Sequence, residues 1–277
     1  MSAYLRPATL DQALLHLAQG DWRVLAGGTD TYVLTDARAL PFSVIDVAGL
    51  PELAGISQGP GGVRIGAGTT WAAIARADLP VALLALQQAA VQVGGRQIQN
   101  TGTIGGNLCT ASPAADGIPP LLVVDAQVEL VSARGVRVMA LSAFLMGPRQ
   151  TARAMDEVLT AVLIPQQSLA GVSRFEKLGA RAYLVISIAM VAVRLNVEGG
   201  AIRQAAIAVG ACSATAQRLG QVEAALIGTP VSQTAGRVDP ALVGAALSPI
   251  DDIRATAAYR VGAATELLRR AVTGALA

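Results

Sequence analysis

The chain has 277 residues, 53% of them hydrophobic, 3% aromatic and 14% charged, with a formal net charge of +2. That length can bury one large core or two or three smaller ones, and so apolar a chain is not disordered. The positive charge is spread out, with no basic run beyond Arg269-Arg270, so the phosphate-neutralising patch of a nucleic-acid binder is absent from the sequence.

The longest apolar stretch, AYLVISIAMVAV at 182–193, falls short of the roughly 20 residues of a spanning helix, so no transmembrane segment is expected. It reads as a buried strand pair. The start, MSAYLRPATLDQALLHLAQ, lacks the pattern of a secretory signal. Cys109 and Cys212 cannot form a disulfide framework and, with the single His16, offer no metal-ligand set, so a cytoplasmic protein is expected. Lys177 is the only lysine.

Leu10, Leu14 and Leu17 at helical spacing, with Thr9 placed to cap, predict a short helix over 9–19, with His16 on its surface. Strands are predicted at 23–26, 43–47 and 63–66, and a helix over 79–93 with Pro80 in its first turn. A glycine turn at 100–107, a loop to Asp116 and a break at Pro119-Pro120 precede a hairpin of 127–132 and 136–141. A strand at 158–164 closes on Pro165, and the polar stretch 166–173 suits a domain boundary. Strands at 174–178, 184–197 and 201–211, the last two joined through Glu198-Gly199-Gly200, lead to helices over 217–227 and 253–272. Runs of strands followed by runs of helices indicate an α+β fold.

Two glycine turns carry the chemistry. In VLAGGTDT, Val24 to Thr31, glycines after a strand can leave backbone N–H groups converging on an anion, although a Gly-Gly pair alone also fits a plain tight turn. TGTIGGNLCTASPAAD, 101–116, is rich in Ser, Thr and Gly and uncharged until Asp116, a composition that buries polar side chains against something polar, such as a nucleotide diphosphate with a ribityl chain. Neither is a dinucleotide fingerprint or a Walker loop. Asp30 and Asp116 as an acid–base pair is the rival reading, but nothing in the sequence brings them together.

The combination of AGGTD at 26–30, TIGGN at 103–107 and ASPAAD at 111–116 resembles the flavin-binding subunits of the molybdenum hydroxylases, the xanthine dehydrogenase and carbon monoxide dehydrogenase group. FEKLGAR at 175–181 and Tyr259-Arg260 extend the resemblance over essentially the whole chain. It implies two N-terminal FAD-binding α+β subdomains (vanillyl-alcohol-oxidase or PCMH-like), 1–60 and 61–168. A C-terminal α+β domain, 169–277, would carry a three-stranded antiparallel sheet and helices. FAD would lie between the first two subdomains, its pyrophosphate on the backbone of Val24, Leu25, Ala26, Gly27, Gly28, Thr29, Asp30 and Thr31 and of Thr103, Ile104, Gly105, Gly106 and Asn107. By the same resemblance Asp116 would sit on the ribityl or flavin side, Leu159 near the dimethylbenzene or adenine part, and Lys177 would approach the flavin as a lone cation that raises its potential. Lys177 as an ordinary exposed strand residue is the alternative.

The sequence departs from some family members at Val93, where an aromatic would stack on the flavin ring, which leaves Tyr183 as the nearest stacking candidate, or as a core residue. Cys109 reads as a small buried residue.

The implied role is electron transfer. A small partner subunit would carry two [2Fe-2S] clusters and a large one the molybdenum cofactor, in a dimer of heterotrimers, and FAD on this chain would hand electrons to an external acceptor. No catalytic acid, base or nucleophile and no metal ligand is expected here. A self-contained FAD-dependent oxidoreductase and a cofactor-free scaffold or binding subunit are the alternatives.

Overall fold

The structure, a computed structural model, describes residues 2–33, 40–182 and 184–277. β1 (Tyr4–Leu5), α1 (Leu10–Leu17), β2 (Trp22–Leu25) and β3 (Ser43–Asp46) open the chain. Both β1 and β2 run parallel to β3, which lies between them. Gln12 N donates to Thr9 Oγ1 at 3.3 Å, the cap that starts α1, and the helix buries Ala13, Leu14 and Leu17. His16 stands half-buried at the edge of the Trp22 ring.

The second layer contains β4 (Ile56–Gly59), β5 (Gly62–Gly66), α2 (Trp71–Arg76), α3 (Leu84–Ala90), α4 (Arg96–Thr101), α5 (Ile104–Thr110) and α6 (Ile118–Leu122). It continues through β6 (Gln127–Ser132), β7 (Gly135–Ala140), α7 (Leu141–Phe144), β8 (Leu145–Gly147), β9 (Gln150–Thr151) and β10 (Val158–Pro165). An antiparallel sheet of order β4-β5-β10-β6-β7 results, with Val162 opposite Ile65 on one side and Val128 on the other. Because β4 pairs with β5, this sheet begins ahead of residue 60, where the sequence suggested a boundary.

Three local expectations change here. The helix expected over 79–93 is a 3-10 turn, Val81–Leu83, running into the shorter α3. The glycine turn expected at 100–107 is mostly helical, since α4 ends at Thr101 and α5 starts at Ile104, capped by Thr103 Oγ1, which accepts from Gly106 N at 3.1 Å. Pro119 and Pro120 occupy the first turn of α6, where a missing N–H has no intrahelical partner to lose, so they start a helix instead of breaking one.

The last part comprises β11 (Val172–Leu178), β12 (Ala189–Glu198), β13 (Ala201–Gly210), β14 (Gln217–Arg218), α8 (Gly220–Leu226), α9 (Pro240–Ala246) and α10 (Ala257–Leu276). Its antiparallel sheet has the order β11-β12-β13-β14, so the expected three strands gain a short fourth. Gly199 and Gly200, at φ +59 and +78, make the left-handed turn that joins β12 to β13. The helix expected over 253–272 starts later, where Thr256 Oγ1 accepts from Tyr259 N.

The apolar run at 182–193 is not a strand pair. Residues 184–188 lie outside helix and strand, with Leu184 at φ +51, and only from Ala189 does the chain enter β12. From Ala189 to Val193 β12 is apolar at every position because both its faces are buried there. Met190 and Ala192 pack into the N-terminal core, while Val191, Val193 and Leu195 pack into a second core with α8, α9 and α10.

Polar ties cross between these cores. The buried Arg194 on β12 donates through Nε to Val123 O at 2.7 Å and through Nη1 to Ala170 O at 3.1 Å. Arg218 Nη1 donates to Leu122 O at 2.9 Å and to Asp125 Oδ1 at 2.8 Å. Ala85 N on α3 donates to Ser173 Oγ at 2.8 Å. Among the described residues no helix is long and apolar enough to cross a membrane.

Candidate functional site

A cavity of about 700 Å³ opens between the first two sheets, within the range of small-molecule and cofactor sites. Val24, Ala26, Gly27, Gly28, Thr29, Asp30 and Thr31 form one wall, and Thr103, Gly105, Gly106, Asn107, Asp116 and Leu159 contribute to the others. The two glycine segments, far apart in sequence, meet here. Leu25 and Ile104 are the exceptions: both turn their side chains into the core.

The two segments do different things. A Cβ at Gly27 would stand 1.9 Å from Thr101 O, so only glycine lets the first loop reach the end of α4. Gly28 has φ +69, which turns the chain back before Asp30. The amides of residues 27–31 donate to no acceptor among the described residues, which leaves them available to a bound acceptor. In the second segment, Ile104 N donates to Thr69 O, Gly105 N to Ala67 O, Gly106 N to Thr103 Oγ1 and Asn107 N to Thr103 O. The backbone donors of 104–107 are therefore taken, and in place of the expected cradle of 103–107 amides this stretch offers mainly a small-residue surface. A Cβ at Gly105 would meet Ala67 Cβ at 2.6 Å.

Asn107 adds a polar group to that surface. Its Oδ1 is buried with no partner among the described residues. A buried, unpaired amide oxygen is unfavourable until a donor reaches it, and a hydroxyl-bearing ligand supplies one.

Asp116 lines the cavity, but Lys177 does not. Lys177 Nζ lies 2.6 Å from Asp116 Oδ2, with side chains only 6% and 9% exposed, and Ser187 Oγ donates to Asp116 Oδ1 at 2.8 Å. The lone cation expected beside the flavin is thus half of a buried ion pair standing behind the cavity wall, and it is not an exposed strand residue either. Burial pushes the Asp116 carboxyl up from its ordinary value, against the downward pull of Lys177 and Ser187. Asp30, on another part of the wall, accepts from Thr110 Oγ1 at 3.2 Å, so the two carboxylates have separate partners.

Several lining residues were not anticipated. Arg149, at φ +57, and Arg153 reach the cavity from either side of β9, in a segment without any glycine pattern to mark it. Arg153 Nη1 is anchored on Glu157 O at 2.7 Å. Trp22, Trp71 and Ile186 also line the site. Val93 is on the wall as well, whereas the proposed stacking residue Tyr183 lies outside the described residues. Cys109 lines the cavity half-buried, and burial pushes its thiol up from the ordinary value.

Comparison with known proteins agrees with the motifs. Residues 1–167 match the FAD binding domain in molybdopterin dehydrogenase, and residues 174–275 the CO dehydrogenase flavoprotein C-terminal domain. The nicotinate dehydrogenase FAD-subunit of Eubacterium barkeri is 35% identical over 83% of this chain and 80% of its own. The carbon monoxide dehydrogenase medium chain of Afipia carboxidovorans is 32% identical over 99% and 96%. Among solved structures, reconstituted CO dehydrogenase from Oligotropha carboxidovorans superimposes with a TM-score of 0.90 at 30% identity, covering 100% of this chain and 98% of that one. With the motifs, the α+β architecture and both halves of the chain in agreement, this protein belongs to the FAD-binding medium subunits of the molybdenum hydroxylase family, the flavoprotein components of xanthine and carbon monoxide dehydrogenase-type oxidoreductases.

Proposed function

We propose that FAD occupies the cavity between the first two sheets and that the chain serves as the electron-transfer subunit of a cytoplasmic heterotrimer, itself paired into a dimer of heterotrimers. The small partner would carry [2Fe-2S] clusters and the large one the molybdenum cofactor. When bound, FAD supplies a centre that takes electrons singly and releases them singly or in pairs.

This chain's part is to bind, orient and bias. The amides of residues 27–31, which have no acceptor among the described residues, hold the pyrophosphate, as a run of N–H groups holds an anion without a lysine. The small residues at 105–106 leave room for the cofactor beside the backbone, and Asn107 Oδ1 accepts a hydrogen bond from one of its hydroxyls. Asp116 takes the ribityl or flavin side, Leu159 packs on an apolar part, and Lys177 acts through Asp116. We retain three functional regions near 1–60, 61–168 and 169–277, with the first division moved ahead of β4.

The observation that carries this reading is a cavity with amides on one wall and an amide oxygen on another that have no partner among the described residues. Purified chain that is yellow, or that takes up one FAD per molecule when FAD is added, supports it. A folded, colourless chain that binds no FAD rejects it. Co-purification with the products of neighbouring genes, assayed for iron and molybdenum, tests the complex.

A further inference from the structure

Residues 184–188 have no helix or strand of their own, yet they form part of the cavity: Val185 and Ile186 line it, and Ser187 holds Asp116. Something else must fix this segment. Behind it, Arg260 on α10, 2% exposed, donates through Nη1 to Ile188 O at 2.6 Å and to Ala211 O at 3.1 Å. Through Nη2 it donates to Asp252 Oδ1 at 2.7 Å. Its Nε is buried with no acceptor among the described residues, so the side chain is held by its two terminal nitrogens alone. Ile188 N in turn donates to Leu178 O at 2.8 Å, which ties the residue after Ser187 to the residue after Lys177.

We propose that Arg260, oriented by Asp252, is a positioning residue for the cofactor site: by fixing Ile188 it presents Ser187 and Lys177 to the two oxygens of Asp116 and holds Val185 and Ile186 on the cavity wall. The inference rests on the reading that FAD occupies this cavity. A planar guanidinium reaches two carbonyls and a carboxylate at once from two nitrogens, which the single, compact nitrogen of lysine cannot reproduce. Loss of that reach leaves buried carbonyls short of their charged donor at the Ser187 end of the segment, whose other end is tied by Arg181 to Leu184 O. The C-terminal helix, remote in sequence from both glycine loops, thereby governs the geometry of the site they form.

The test uses the full-length chain with FAD affinity read by fluorescence titration and flavin potential by spectroelectrochemistry, for Arg260→Lys, Ser187→Ala, their double variant, and Gly27→Ala. Arg260→Lys is expected to weaken FAD binding about tenfold, the equivalent of about 1.4 kcal/mol, and to shift the potential in the same direction as Ser187→Ala. The double variant should be no weaker than the weaker single one, because both break one chain of contacts. If Arg260→Lys does not fold, Asp252→Asn carries the same comparison with Ser187→Ala. Unchanged affinity and potential in the folded Arg260 or Asp252 variant, or losses that multiply in the double variant, would overturn the proposal. If Gly27→Ala also binds FAD normally, the cavity assignment itself falls; if Gly27→Ala alone is weakened, only the role of Arg260 does.

Discussion

The buried pair of Lys177 and Asp116 allows a prediction with both a sign and a size. Replacing lysine with methionine keeps most of the side-chain volume and removes the charge, leaving a carboxylate 9% exposed with Ser187 as its remaining donor. Breaking a buried pair at one partner costs about 3–5 kcal/mol, and the surviving hydrogen bond places this case at the lower end, about 3 kcal/mol. For a chain of this size that corresponds to a fall of about 5 °C in Tm. Asp116 can escape by taking up a proton. Its folded carboxyl already lies above the ordinary value because burial outweighs its partners, and loss of Lys177 removes the largest opposing pull. A carboxyl raised in the folded state contributes stability below its unfolded value and loses it as pH rises through the folded one. The deficit of Lys177→Met relative to the native chain should therefore be small in acid and grow from the carboxylate range toward neutrality. Urea unfolding at a series of pH values measures it. A deficit that is the same at every pH, or under about 1 kcal/mol at neutrality, would refute a buried, charged pair. Adding Asp116→Asn should recover much of the loss, since no unpaired charge is then left.

The same pair predicts opposite effects on the bound flavin: Lys177→Met should lower its potential and Asp116→Asn, which leaves the cation, should raise it, as redox titration would show. Gly27→Ala places a Cβ 1.9 Å from Thr101 O, and forcing the loops apart by overpacking, about 1–3 kcal/mol, should weaken FAD binding about tenfold to hundredfold while circular dichroism stays native. Thr103→Val removes the α5 cap, worth about 1 kcal/mol, and should lower FAD affinity about fivefold in a fluorescence titration, with Thr103→Ser restoring it. Arg194→Met leaves Val123 O and Ala170 O without their donor between the cores, and should lower stability by about 2 kcal/mol in urea unfolding.

Much of the site was legible because glycine requirements are local. AGGTD follows a strand and TIGGN is small and polar, so both advertise close backbone approach, and both do line one cavity. What each supplies was not legible. Whether an amide is free depends on which carbonyl happens to face it, and Ala67 and Thr69, the acceptors for Gly105 and Ile104, lie more than 30 residues away with nothing in their types to mark them. The helix start at Thr9 was visible as a cap, the last helix was expected from 253 although Thr256 caps it, and α9 and the short α2 were missed because each is under two full turns and carries little periodicity.

Lys177 shows most clearly where reading by type stops. The family resemblance put Lys177, the only lysine, beside the flavin as a lone cation; the structure sets it on Asp116, which lines the cavity. Its partner lies 61 residues earlier, on the other side of a domain contact, so the charge that reaches the cavity is that of a pair and not of a cation. The resemblance put Asp116 on the ribityl or flavin side, and in the structure Lys177 and Ser187 each bind one of its oxygens. Both donors come from the C-terminal part of the chain. On the proposed reading the flavin site is therefore not the property of the N-terminal loops alone: Val185 and Ile186 line the cavity while Ser187 and Lys177 hold Asp116 from behind it, so a substitution that shifts those contacts should act on the cofactor through Asp116.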